Sequence, residues 1–140
     1  MTSRLIIGLI VSVLIGSVSS TVSAASDPTN FLFRKLSFSS AENDQLFRKT
    51  IDEVDALEFE EAGANSNSLV ANVEADNRID GLTFARVLAN AAIIYAQLEQ
   101  PEVALELLNR SVSLVEEESV FHEDIYPLMM VKAQILIKQG

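Results

Sequence analysis

The side chains able to do chemistry are few, and their spacing gathers none of them into a familiar catalytic or metal-binding set. There is no cysteine and His122 is the single histidine, so neither a Cys–His dyad nor a Cys/His metal shell can be assembled. His122 has no motif around it and reads as a surface or linker residue. Glu116, Glu117 and Glu118 are consecutive, which suits a solvated helix end better than an acid–base pair. No glycine-rich phosphate loop and no serine elbow is present. Asp76-Asn77-Arg78-Ile79-Asp80-Gly81 has the outline of a calcium loop. Such a loop needs oxygen ligands at its first, third and fifth positions and a glutamate at its twelfth. Arg78 stands at the third and Val87 at the twelfth, so the expected role is helix capping by Asp80. Asn109-Arg110-Ser111 matches a glycosylation sequon, but inside a helical pattern. The expectation is a non-enzymatic chain with no cofactor and no metal.

The segment that must deliver the chain comes first. Arg4, an apolar run from Leu5 to Val18 and a small polar stretch to Ala25 follow the order of a signal peptide. Small residues at Val22 and Ala24 place cleavage after Ala24, giving a signal peptide over 1–24; Ala25 is the second choice. The apolar core is shorter than the roughly 20 residues of a spanning helix, so a membrane association requires the segment to stay attached. Export to a periplasm or to the exterior is the expected destination.

Ten basic against 20 acidic residues give a net charge of −10, and loss of Arg4 makes the chain more acidic still. Such a surface repels nucleic acid and anionic lipid. Without disulfides the domain must be held by apolar packing. With no tryptophan, five glycines and three prolines, the composition suits helices.

Residues 25–81 read as a lead-in with a capping helix at about 39–62. Ser39 and Glu42 have capping-box spacing, and Leu46, Phe47, Thr50, Ile51, Val54 and Leu57 recur at helical intervals. Gly63 and the Asn/Ser-rich stretch to Ser68 predict a stop and a loop; 69–75 stays open between a short helix and an extended connector. Helices are expected over about 82–98 and 101–117, joined by so short a turn that they form a hairpin, with Pro101 at a first helical position. A last helix, 125–139, is apolar nearly all round.

The hairpin from Ala85 to Glu118 resembles a tetratricopeptide repeat. Leu88, Ala91, Ala92 and Tyr95 take the first-helix places; Ala104, Leu108 and Ser111 take the second-helix places. Small residues at Ala92 and Ala104 let the backbones approach. The chain departs from the pattern at Leu88, which is not aromatic, at Glu99, where a turn glycine is usual, and in lacking a proline near Glu116. Met129, Ala133, Leu136 and Gly140 repeat Leu88, Ala92, Tyr95 and Glu99 at a 41-residue offset, similar to the longer repeats of kinesin light chain. The resemblance covers 82–140, incomplete at its C-terminal end. It implies an all-α fold of antiparallel hairpins stacked as a short solenoid, with Leu88, Ala92, Tyr95, Ala104, Leu108, Ala133 and Leu136 as repeat packing.

It also implies that Arg86, Asn90, Ile93 and Gln97 line a concave groove where an asparagine bonds the backbone of an extended peptide. The competing reading is that these four are ordinary solvated or packed residues. Val131 replaces the next asparagine of a ladder. The functional expectation is an exported protein–protein interaction module. The alternative is the helical N-terminal part of a larger exported enzyme or envelope assembly factor. Partners would be another protein or peptide, or a second copy through the last helix, where Met129, Met130, Ile135 or Ile137 should be exposed.

Overall fold

The computed structural model describes residues 27–139; the signal-peptide reading, with Ala24 and Ala25, lies outside them. Over these residues the chain is all-α. A single 3-10 turn, Pro28–Phe31, leads by an extended stretch into five helices: α1 (Ala41–Asp55), α2 (Phe59–Ala75), α3 (Gly81–Gln97), α4 (Pro101–Glu118) and α5 (Ile125–Gln139). Each helix packs on the next, so α1–α2 and α3–α4 are hairpins stacked side by side, with α5 beginning a third layer against α4.

The expected single helix over 39–62 is in fact parts of two. The chain breaks at Ala56-Leu57-Glu58 and resumes as α2, which runs through Gly63 and the Asn/Ser-rich stretch that predicted a loop. The cap is also one residue later than expected: Ser40, not Ser39, accepts from the Asn43 N–H. Gly63 is a packing surface, not a stop. A Cβ there would lie 3.1 Å from a Leu98 methyl, and its absence lets α2 lie close to the second hairpin.

The two hairpins turn in the same way. Leu57 and Glu99 both adopt left-handed backbone, with φ of 61° and 59°. After each, an N–H reaches back five residues, Glu58 to the Glu53 carbonyl and Gln100 to the Tyr95 carbonyl, closing the helix as a Schellman-type cap. Ala62 and Ala104, 42 residues apart in the sequence, occupy matching places and are both 0% exposed. Val70 and Val73 correspond to Val112 and Val115 at the same offset, and all four are buried. The two hairpins thus share their turn geometry and these buried positions at one offset.

Helix α3 is the axis of the molecule. Ala85 and every residue from Val87 to Ile94 are buried. Ala89, Ala92 and Ile93 belong to a cluster with Leu108, Val115, Leu128 and Val131. Val87, Leu88 and Ala91 pack in another with Phe47, Leu69 and Val73. At about 1.5–3 kcal/mol for each large apolar side chain buried, these two faces supply much of the folding drive. The α1–α2 interface is more polar: Asn72 donates to Asn43 at 3.1 Å and Asn65 to Glu53 at 2.6 Å.

Candidate functional site

The four residues assigned to a groove, Arg86, Asn90, Ile93 and Gln97, are spaced three and four apart and share one face of α3. None stands free. That face is covered by residues 27–33, which run antiparallel to α3 from the Gln97 end to the Arg86 end. The expectation that these side chains are exposed in a groove is corrected: the chain's own lead-in packs over them, in line with the competing reading of packed residues.

Asn90 provides the central contact. Its Oδ1 accepts from the Phe33 N–H at 2.8 Å, and its Nδ2 donates to the Phe33 carbonyl at 2.9 Å. One amide thus satisfies both backbone groups of a residue that has no strand neighbour, and does so in a site where Asn90 is only 5% exposed. Ile93, fully buried, shares its cluster with Leu32 of the lead-in. Gln97 donates to Asp27 at 3.2 Å, and Asp27 also accepts from the Thr29 N–H to start the 3-10 turn. Pro28 is buried, and the turn rests against α3 and α5.

Arg86 closes the other end. Its guanidinium lies 5.4 Å from the Phe33 ring centroid and donates to both carboxylate oxygens of Asp124, at 2.8 and 3.3 Å. The bond to Asp124 raises the pKa of Arg86, with burial opposing it. Asp124, just ahead of α5, receives this pair and offers its own N–H to His122 Nδ1 at 3.0 Å. His122 therefore orients the loop before α5. Sequence reasoning tucks the lead-in aromatics onto the body and makes Asp124 an N-cap, but pairs none of Asp27, Phe33 and Asp124 with α3. Phe33 and Asp27 carry no spacing signal, because they meet α3 from 57 and 70 positions away.

The remaining repeat-packing residues divide. Leu88, Ala92, Ala104 and Leu108 are fully buried, and Tyr95 is half-buried with its hydroxyl accepting from Asn67. Ala133 and Leu136 are exposed instead. Among the described residues, helix α5 is approached by α4, α3 and the lead-in turn, and it buries Leu128, Val131 and Ile135. Tyr126, Met129, Ala133, Leu136 and Ile137 form the opposite, uncovered face, Ile137 being 77% exposed. Of the four residues expected to be exposed, Met129 and Ile137 are, Met130 is half-buried and Ile135 is buried.

At the former calcium-like loop, Arg78 donates through Nε and Nη2 to the two oxygens of Asp76, both at 2.9 Å. This bond, with the Arg78 N–H, holds the Asp76 carboxyl down to about 2. Asp80 caps α3 by accepting from the Thr83 N–H at 2.8 Å. Among the described residues no group of three potential metal ligands is found. The sequon is inside α4, and its Ser111 hydroxyl is buried, donating to the Ala85 carbonyl at 2.6 Å. An open depression on the far side of α3 and α4 is lined by Phe84, Glu106, Asn109 and Arg110 among others; Arg110 there pairs with Glu74 and lies over Phe84. No described helix is long and apolar enough to cross a membrane.

Comparison with family models, curated proteins and solved structures gives no match.

Proposed function

We propose that this chain is an exported, non-enzymatic interaction module of tetratricopeptide-like hairpins, in which the α3 face between Arg86 and Gln97 receives extended polypeptide. The observation that carries the reading is the paired hydrogen bonding of Asn90 to the backbone of Phe33. A side chain that reads both backbone groups of a non-helical segment recognises polypeptide as such, whatever its side chains. The 42-residue correspondence of Ala62 with Ala104, and of the Leu57 turn with the Glu99 turn, supports the repeat resemblance. The ordered charged, apolar and small-polar segments over 1–24 support export to a periplasm or to the exterior.

A second reading, that these hairpins are the helical N-terminal part of a larger exported enzyme or assembly factor, is favoured by the uncovered face of α5. An apolar stripe opposite a helix's core side is normally met by another surface.

Site-specific photo-cross-linking in the native host separates the two. A photoreactive residue at position 97 reports on the α3 face, and one at position 129 on α5. Discrete adducts to another exported protein at position 97 are expected. Adducts at 129 alone move the function to α5 and the second reading; no adduct at either position overturns the interaction module.

A further inference from the structure

The lead-in is held at two independent stations. Its inner half, beginning at Arg34, belongs to the first hairpin: Arg34 makes a two-pronged pair with Asp55 at 2.9 and 3.1 Å, and the Phe38 ring meets Phe47 at 5.8 Å. Its outer half, residues 27–33, meets the second hairpin and α5 through side-chain contacts and the Asn90 amide. The junction between the stations, Arg34 and Lys35, is exposed. Release of 27–33 keeps the Arg34–Asp55 anchor, which lies outside the released stretch.

From this arrangement, and resting on the reading of the α3 face as a polypeptide-binding surface, we propose that residues 27–33 are a displaceable internal ligand. The groove takes in their place a segment of the same chemistry from another chain. The chemistry is legible from the internal ligand. An acid meets Gln97, and a proline follows it in a buried position. After two further residues come a partly buried aromatic, a buried leucine and an aromatic under the Arg86 guanidinium; the backbone of that last residue is taken by Asn90. The partner class is thus an Asp-Pro-Thr-Asn-Phe-Leu-Phe-like segment that makes one 3-10 turn and then extends, with affinity lowered by the fraction of molecules in which the internal copy is seated. A tether this short gives the internal copy an effective concentration in the millimolar range, so external segments bind weakly until the internal one is impaired.

The test uses the whole exported chain and a fluorophore-labelled synthetic peptide of residues 27–36. Leu32→Ser with Phe33→Ala impairs the internal copy, and anisotropy titration should show the peptide binding at least about tenfold more tightly than to the native chain. Adding Asn90→Ala to that variant should remove the gain. Equal binding to native and impaired chains, or binding indifferent to Asn90, overturns the proposal, as does absence of binding to either. If the impaired variant fails to fold, hydrogen exchange of the native chain decides. The Phe33 amide should exchange at least about a hundredfold faster than the α3 amides of Ala89 and Ala91, the mark of local opening. Equal protection means that the segment leaves only on global unfolding and refutes displacement. Concentration-dependent dimerisation of the impaired variant would identify a second copy's lead-in as the external segment and supports the proposal. Failure here with partner adducts still formed at position 129 leaves an interaction module whose working face is α5.

Discussion

Asn90 does with one amide what a sheet edge does with a strand, and its removal should be felt accordingly. Asn90→Ala leaves the part-buried N–H and carbonyl of Phe33 without partners, a loss of about 1–3 kcal/mol. Urea unfolding should show it as a lower midpoint at unchanged slope. Asn90→Asp keeps the acceptor but not the donor, and sets a carboxylate against the Phe33 carbonyl, so it should not restore stability. Ser111→Ala removes a hydroxyl bonded to the Ala85 carbonyl in a fully buried place, at about 1 kcal/mol, measured the same way. Only the repeat resemblance, and not spacing or composition, implied that Asn90 faces polypeptide. The identity of that polypeptide was hidden, because Phe33 is 57 residues away and nothing local couples the two positions.

At the scale of elements, the turns and caps set the register of the stack. Leu57 and Glu99 hold a conformation that costs an L-residue about 1–2 kcal/mol. Leu57→Gly and Glu99→Gly should each therefore raise stability by about 0.5–1 kcal/mol, glycine's greater unfolded-state freedom offsetting part of the relief. Thermal denaturation of the two single variants checks this. The caps make the fold sensitive to acid. Asp80 is held below its usual 3.8 chiefly by the Thr83 N–H, and Asp76 is held to about 2 by Arg78. Both are depressed on folding, so their contribution is complete above about pH 4 and is lost as pH falls towards 2. Asp80→Asn retains the cap, asparagine being as good an N-cap, and removes one titration. Its stability should fall less steeply between pH 4 and 2 by circular dichroism.

The same scale shows why the second hairpin was legible and the first was not. Helices α3 and α4 carry apolar stripes and a Pro101 start. Helix α2 instead meets α1 through Asn65 and Asn72, whose polar groups resemble a loop until Glu53 and Asn43 are seen to satisfy them. Leu57 likewise gives no turn signal of its own.

At the scale of the whole molecule, the stack is asymmetric. One side ends in α1, whose outer surface carries Glu42, Arg48, Lys49 and Asp52, all exposed; the other ends in the apolar stripe of α5. Ile137→Glu should change stability by no more than about 0.5 kcal/mol, since among the described residues that side chain is 77% exposed. It should nevertheless reduce binding of an apolar dye, and any self-association seen by sedimentation should weaken. A fall in stability comparable to a core substitution would mean that the stripe is covered after all. The apolar character of α5 was visible in the sequence. Which half of it faces the core was not: the 41-residue offset selects Ala133 and Leu136, whereas contact with α4 and the lead-in selects Leu128, Val131 and Ile135.

The antiparallel seat of the lead-in on α3 also fixes an order of events during synthesis. A chain grows from its N-terminus at about 5–20 residues per second, so Phe33 emerges roughly 3–11 seconds before Asn90, 57 residues later. The Phe-Leu-Phe stretch is therefore among the first parts of the domain to be made and among the last to find its place. Throughout that interval it is a naked apolar sequence available to holding chaperones, waiting for the helix that will seat it.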